Sequence, residues 1–517
     1  MAAELQSTPV PNTTMVGVVG AGAMGAGIAQ LAALAGHKVR LFDTRPDAAQ
    51  RAIEGTVAAV EMLVAKGRLA EEQVAGVRTW MSAANSLEDL TECGLIVEAI
   101  VENLQAKQAL FRSLEEITDA DALLATNTSS ISITSIASAL KTPDRLLGMH
   151  FFNPAPVMPL VEIISGVATS RAAAATLYAT AKAWGKIPVY AKSSPGFIVN
   201  RVARPFYAEA LRVLNEGGSD CVTIDAILRE AGGFRMGPFE LMDLIGHDVN
   251  YAVTRSIFDA FYGDSRFTPS LLQLELVEAG FLGRKSGRGF YSYGNNKIAV
   301  FPQTSSPSTK PDRVRIFGVG HLADAFARRL GDLSVAYERI AKLEDGRLAE
   351  ADEAVLYPSD GRTATARAQA NGVANTILVD LTLDACTATR LAITRSDTCS
   401  ASAFASAIGL LQAAGYCVSE IDDIPGMVVL RTVAMLANEA ADAVNQGVCN
   451  VADCDLAMRK GVNYPAGPLE WADKLGLEAI VETLDNLRAA YGDTRYRVSP
   501  LLRRKALTRA TFHEMET

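Results

Sequence analysis

The residues best suited to chemistry stand in Gly148-Met149-His150-Phe151-Phe152-Asn153-Pro154 and, twelve residues after the histidine, at Glu162. An imidazole can take and release a proton near neutral pH, and a carboxylate on its far nitrogen fixes the tautomer and stabilises the cation. His150 lies near the end of one apolar run, and Glu162 comes out of another, Val157 to Ile164. The pair reads as a general base and its orienter. On its own a histidine beside two phenylalanines is more often a core residue, so the surrounding elements must decide.

Those elements begin with Met15-Val16-Gly17-Val18-Val19, a β-prone run leading into Gly20-Ala21-Gly22-Ala23-Met24-Gly25 and then a helical segment through Leu34. The first Gly allows a tight turn, the second lets backbone approach a pyrophosphate, and the third lets helix pack on strand. Gly36 ends the helix, Lys38 to Phe42 form a second strand, and Asp43 stands at its end. A carboxylate there binds ribose hydroxyls and repels a 2′-phosphate, which favours NAD over NADP; Arg45 nearby weakens that preference a little. Two more strands follow, Leu95 to Ile100 before Glu102 and Leu123 to Thr126 before Asn127-Thr128-Ser129-Ser130. With the strand Leu146 to Phe152 they bring Glu102, Ser129 and His150 to one rim, although a run of short polar residues is also a common helix cap.

These motifs resemble the 3-hydroxyacyl-CoA dehydrogenases: Gly20-x-Gly-x-Met-Gly25, Glu98-Ala-Ile-Val-Glu102-Asn103, Asn127-Thr-Ser-Ser130, His150-Phe-Phe-Asn-Pro154, Pro195-Gly-Phe-Ile-Val-Asn-Arg201 and Gly237-Pro-Phe-Glu240, from Val16 to Tyr291. The resemblance implies an α/β Rossmann domain followed by an all-α domain, and NAD-dependent oxidation of an acyl-CoA thioester. It makes His150 the catalytic base and Glu162 its partner, with Ser129 and Asn200 bonding the reacting oxygen. Asp43, Glu102, Lys107, Ser129, Asn153 and Lys285 would line the NAD site beside Gly20, Gly22, Ala23, Met24 and Gly25. Lys66 and Arg68, with Lys107 shared, would touch coenzyme A.

The second half repeats the first. At an offset of 230, Pro195 aligns with Pro425, Arg201 with Arg431, Glu209 with Glu439, Asp225 with Asp455 and Gly246 with Gly476, without a gap. Val314 to Ala323 repeats the strand and glycine turn, yet Gly318 precedes its Pro-Gly by 107 residues against 175 in the first copy. This second α/β unit is therefore reduced, and with Leu430 in place of Asn200 and no His-Phe-Phe-Asn-Pro it reads as a structural half. The division expected is a Rossmann domain at 1–192, a helical domain at 193–294, a linker at 295–312, a reduced Rossmann-like domain at 313–422 and a second helical domain at 423–517. Chains duplicated in this way resemble the bacterial members acting on 3-hydroxyadipyl-CoA or 3-hydroxybutyryl-CoA in phenylacetate-type catabolism and butyrate metabolism. A dicarboxylic acyl chain would need a cation, for which Arg201, Arg204 and Arg235 are candidates.

Composition bounds the rest. The net charge of −9 and the lack of a basic cluster argue against nucleic acid. Seven cysteines without a C-x-x-C pair read as free thiols in a reducing compartment, and five scattered histidines suggest no metal site. No apolar run is long enough for a membrane, Met1 to Thr14 lacks a signal-peptide pattern, and Glu514 to Thr517 is no peroxisomal address, so the expectation is a soluble, cytoplasmic protein. Two other readings stay open at this point: a β-hydroxyacid dehydrogenase acting on a free acid, and a non-catalytic NAD-binding protein. Oligomeric state is open too, between a homo-oligomer and a monomer whose helical domains pair within one chain. Truncation near Pro307 tests that pairing: loss of folding or activity is the expected outcome, and a stable, fully active fragment would refute it.

Overall fold

The computed structural model of the chain describes residues 8–294, 299–341 and 345–513. Two compact units emerge, one formed by the chain up to Arg201 with Gln446–Val462, the other by Val202–Asn445 with the chain from Asn463 onward.

The first unit is built on eight strands: β1 (Met15–Val19), β2 (Val39–Phe42), β3 (Met81–Ala83), β4 (Cys93–Glu98), β5 (Leu123–Thr126), β6 (Leu146–Phe151), β7 (Leu160–Ser165) and β8 (Ile187–Lys192). Their order is β3-β2-β1-β4-β5-β6-β7-β8, and all pairs are parallel except β6 with β7. Strands covered on both faces read as continuous apolar runs, as β6 does: all six of its residues are buried. The antiparallel register sets His150 directly opposite Glu162. Helices Ala48–Ala65 and Glu71–Trp80 form an arm whose connecting turn, with Gly67 at φ +66, exposes Lys66 and Arg68.

One helix packs away from its neighbours in sequence. Helix Val451–Gly461, expected in the second helical domain, belongs to the first unit, where a Cβ on Gly461 would come within 2.7 Å of Leu160. Asp453 on that helix accepts from the Tyr190 amide of β8 at 3.3 Å. A helix with one apolar face must bury it against something, and here the nearest uncovered surface is a sheet far away in sequence.

The second unit holds β9 (Val314–Phe317), β10 (Glu338–Ile340), β11 (Ala349–Ala351), β12 (Ala354–Pro358), β13 (Thr376–Val379), β14 (Arg390–Arg395) and β15 (Cys417–Glu420), ordered β10-β9-β11-β12-β13-β14-β15. The reduction is visible in the middle: β11 runs antiparallel to β9 and hairpins into β12, taking the place that β4 fills in the first sheet. Helix Cys221–Glu230, the counterpart of Val451–Gly461, lies on this sheet, with Glu230 pairing Arg390 at 3.2 Å.

In the same unit the helices Arg204–Asn215 and Val429–Asn445 of the two copies pack together across buried ion pairs. Arg431, fully buried, reaches Glu209 and Glu216, each at 2.8 Å, while Arg266 reaches Glu439 at 2.8 Å and Asp442 at 2.5 Å. Burial alone would raise the Glu209 carboxyl, but the charges of Arg212 and Arg431 outweigh it and hold it below its usual range. Breaking one side of such a pair strands a charge in the interior. Arg431→Met is therefore expected to cost about 3–5 kcal/mol of stability, read from urea unfolding of the full chain; a loss below about 1 kcal/mol would mean that Arg212 and Tyr496 suffice for Glu209.

Candidate active site

The glycine turn after β1 has the shape a pyrophosphate needs. A Cβ on Gly20 would come within 2.5 Å of the Ala99 carbonyl oxygen, and one on Gly25 within 1.8 Å of the Gly20 oxygen, whereas one on Gly22 would meet nothing within 4 Å. The first and third glycines are thus demanded by packing, and the second leaves the turn open where helix Ala23–Leu34 begins, flanked by Ala23 and Met24. Asp43 braces the turn: Oδ2 accepts from the Ala21 amide at 2.8 Å, and Arg45 holds both oxygens at 2.9 Å. The Arg45 guanidinium keeps the Asp43 carboxyl far below the usual range, so it is an anion at the strand end. These residues fit NAD.

Behind the rim sits a buried charge cluster. Lys107 is 1% exposed and donates to Glu98 at 2.6 Å, with Glu102 at 3.4 Å. Glu98 also accepts from the Thr126 hydroxyl at 2.7 Å and the Ile100 amide at 2.7 Å. Glu102 in turn gathers the following loop, accepting from the Thr128 hydroxyl at 2.6 Å and from the Ser129 and Ser130 amides at 3.0 Å. Burial works to raise the Glu102 carboxyl, but the Thr128 hydroxyl, the Lys107 charge and Ser130 hold it below its ordinary range. Lys107 is thus an ammonium buried between two carboxylates behind the rim. Lys66 and Arg68 are exposed.

His150 is 5% exposed, and its Nδ1 lies 2.7 Å from Glu162 Oε2. The other carboxylate oxygen accepts from the Ile198 and Val199 amides at 2.9 and 3.0 Å. Those amides are aimed by a turn in which Gly196 and Phe197 both take the left-handed conformation, φ +76 and +49. Phe152 and Phe197 flank the imidazole at 4.6 and 5.8 Å between ring centres. With Nδ1 donating to a carboxylate, Nε2 carries the lone pair and faces away from Glu162. Asn200 follows the anchored turn directly, and Ser129 Oγ makes a long 3.4 Å contact to Glu102. Asn153 is exposed beyond the strand end, and Lys285, in the second unit, pairs with Asp248 at 2.5 Å.

Three supporting features escaped the sequence reading. Asn127 Oδ1 accepts from the Phe151 amide at 2.8 Å and so fixes the strand beside His150. The Ile198 and Val199 amides carry no side-chain signal at all. Lys186 donates to the Ala155 and Met158 carbonyls at 2.6 and 2.9 Å, pinning the loop after Pro154, and burial pulls its pKa down to about 8. Asn127, Ile198 and Val199 all stood in motifs, but only Asn127 acts there through its side chain.

The second copy has lost this arrangement. Its strand pairing puts Asp380 where His150 stands and Ala392 where Glu162 stands, since the Asp380 amide donates to the Ala392 carbonyl at 3.0 Å. Asp380 accepts from the Val428, Val429 and Leu430 amides at 3.0, 2.7 and 3.1 Å, doing alone the anchoring that Glu162 does in the first copy. The second glycine turn is also filled. Arg339 donates to the Gly318 and Ala323 carbonyls at 2.9 and 3.1 Å, and Asp324 caps the Gly320 amide at 3.0 Å where a phosphate would need it.

A Rossmann sheet with an open glycine turn and a histidine–carboxylate dyad at its rim defines a nicotinamide-dependent alcohol dehydrogenase. The particular family follows from comparison with known proteins: the chain belongs to the 3-hydroxyacyl-CoA dehydrogenases. Residues 15–194 match the family model described as 3-hydroxyacyl-CoA dehydrogenase, NAD binding domain. Residues 196–293 and 426–511 match its C-terminal domain, and 356–425 match the 3-hydroxybutyryl-CoA dehydrogenase reduced Rossmann-fold domain. A relative from Escherichia coli K12 named 3-hydroxyadipyl-CoA dehydrogenase is 43% identical over 96% of this chain and 98% of its own. A crystal structure of a protein named 3-hydroxybutyryl-CoA dehydrogenase, from Escherichia coli K12, superposes with a TM-score of 0.87 at 43% identity, covering 96% of this chain and 99% of that one. A probable 3-hydroxybutyryl-CoA dehydrogenase of Bacillus subtilis is 41% identical over 53% of this chain and 96% of its own length. The chain therefore carries the family's NAD-binding domain, and no helix among the described residues is long and apolar enough to cross a membrane.

Asp43→Ser is expected to raise the KM for NADH about tenfold or more and to narrow the preference over NADPH. Unchanged KM values for both would remove Asp43 from the ribose.

Proposed function

We propose that this protein oxidises a (3S)-3-hydroxyacyl-CoA to the 3-oxoacyl-CoA, with His150 as general base, and that its substrate is 3-hydroxyadipyl-CoA. The observation that carries the reading is the His150–Glu162 contact of 2.7 Å at the rim of the NAD-binding sheet. NAD, when bound, supplies the acceptor for the hydride leaving C3. His150 Nε2 takes the hydroxyl proton in the same step, and Glu162 compensates the buried imidazolium that results. Ser129 and Asn200 donate to the oxygen at C3, which matters most in the reverse direction, where a ketone must be polarised. The flanking phenylalanines keep water from the imidazole. Lys66 and Arg68, on the exposed turn of the helical arm, are the residues assigned to the coenzyme A phosphates, and Glu102, Asn153 and Lys285 are assigned to NAD.

The adipyl chain is preferred because the E. coli relative matching both halves carries that name. 3-Hydroxybutyryl-CoA is the second reading, favoured by the names of the half-length relative and of the full-length E. coli crystal structure. Reciprocal ion pairs between the two helical copies support pairing within one chain, and seven free thiols support a reducing compartment, the cytoplasm.

The test is NADH oxidation with 3-oxoadipyl-CoA, acetoacetyl-CoA and free acetoacetate, for wild type and His150→Ala. Thioester turnover that falls about 10²- to 10⁴-fold in the variant, with KM little changed, is the expected result. Turnover of the free acid alone, or a fully active variant, would overturn it, and the ratio of the two thioesters selects the chain. One proton is released on oxidation, so the apparent equilibrium should shift toward the 3-oxo product about tenfold per pH unit.

A further inference from the structure

We propose that the second half of the chain keeps a small-molecule site at the counterpart of the catalytic rim, a cavity that takes the anion of a short unbranched carboxylic acid, chain inward and carboxylate at Lys474. The cavity has a volume of about 170 Å³ and lies wholly within the second unit, bounded by the ends of β12 and β13 and by helix Pro468–Leu475. That is room for one ring or a chain of a few carbons, and well below what a nucleotide needs. The second glycine turn, closed by Arg339 and Asp324, likewise leaves no place for a phosphate.

The lining sorts apolar body from charge. Leu322, Val379, Leu381, Leu430 and Leu475 supply an apolar wall. Asp380, 1% exposed, marks the deep end, and its oxygens are taken by the Leu381, Val428, Val429 and Leu430 amides. A buried carboxylate disfavours a second one beside it, so an anionic head belongs at the opposite, solvent-facing end. Lys474 stands there: it is exposed, makes one long hydrogen bond to the Leu383 carbonyl at 3.3 Å, and pairs with no carboxylate among the described residues. Ser359, which also lines the cavity, has a buried hydroxyl without a hydrogen-bond partner among the described residues. Such a group is uncommon in a finished interior and calls for a partner.

The duplication separates this arrangement from packing. At the offset of 230, Leu430 stands for Asn200, Leu475 for Ile245 and Lys474 for Leu244. The second copy has thus lost a polar group from the wall, kept an apolar residue at the rim and gained a cation beside it. A half retained only as scaffold has no reason to keep the hollow open and place a charge at its mouth. An apolar wall with one cation at the edge matches an aliphatic chain ending in a carboxylate. The site is independent of the dehydrogenase reading of the first half.

Binding of butyrate, hexanoate, decanoate and hexanol to the full chain is measured by saturation-transfer NMR titration in wild type, Lys474→Ala, Lys474→Arg and Leu475→Trp, with circular dichroism reporting the folding of each. Saturable hexanoate binding is expected, with an affinity that rises from butyrate to hexanoate and then stops rising toward decanoate. In Lys474→Ala the hexanoate affinity should fall about threefold to fivefold and be regained with arginine, while that of hexanol stays constant. Leu475→Trp, which fills the mouth, should abolish binding of both. No saturable binding by wild type, or a wild-type hexanoate affinity in folded Lys474→Ala or folded Leu475→Trp, overturns the proposal. Should Leu475→Trp fail to fold, the chain-length series on wild type decides in its place, and an affinity that keeps rising through decanoate overturns the site.

Discussion

One carboxylate, that of Glu162, ties the site together. Its Oε2 faces the His150 imidazole and its Oε1 takes the amides of Ile198 and Val199, so a single buried anion joins the antiparallel strand pair to the start of the helical segment. An ion this deep is tolerated only when its lone pairs are used, and here each oxygen has a donor. The consequence is geometric as well as electrostatic. The group that holds the imidazole also fixes the turn that precedes Asn200, so the two cannot drift independently.

The second copy shows which of these duties is structural. Asp380, at the register position of His150, keeps the contact to the amides after the Pro-Gly turn and gives up the imidazole. The turn itself is preserved, with Met427 in the left-handed conformation as Phe197 is. Burial pushes the Asp380 carboxyl up to about 6 while the Val429, Leu430 and Val428 amides pull the other way. Anchoring the helix start is therefore common to both halves, whereas the imidazole at this strand register belongs to the first. Arg339 and Asp324 close the second glycine turn by the same logic, since filling an unused anion cradle satisfies donors that would otherwise face nothing.

The helical copies are held by charges rather than by apolar contact alone. Arg431 crosses to Glu209 and Arg266 to Glu439, an exchange in which each copy supplies the cation for the other's equivalent glutamate. Buried pairs of this kind add little net stability over a hydrophobic contact, yet a mismatch is severely penalised, which suits a surface that must find one register.

Much was legible in the chain itself. The glycine spacing, Asp43 at a strand end, and the pairing of His150 with Glu162 could be read from residue types, because tight turns and strand ends demand particular residues at short range. The 230-residue offset disclosed the duplication, and the short span from Gly318 to Pro425 disclosed its reduction. That Glu98 and Glu102 close on Lys107 was not legible, because nine and five residues of sequence separation say nothing of a buried ion pair until the strand and helix are packed. Helix Val451–Gly461 joining the first unit, Lys186 gripping two carbonyls, and the amides beneath Glu162 were likewise beyond reach. Local order sets which residues can do the chemistry; contacts between distant backbone groups and buried charges exist only once the chain is packed, and they decide which of those residues are held in place to do it.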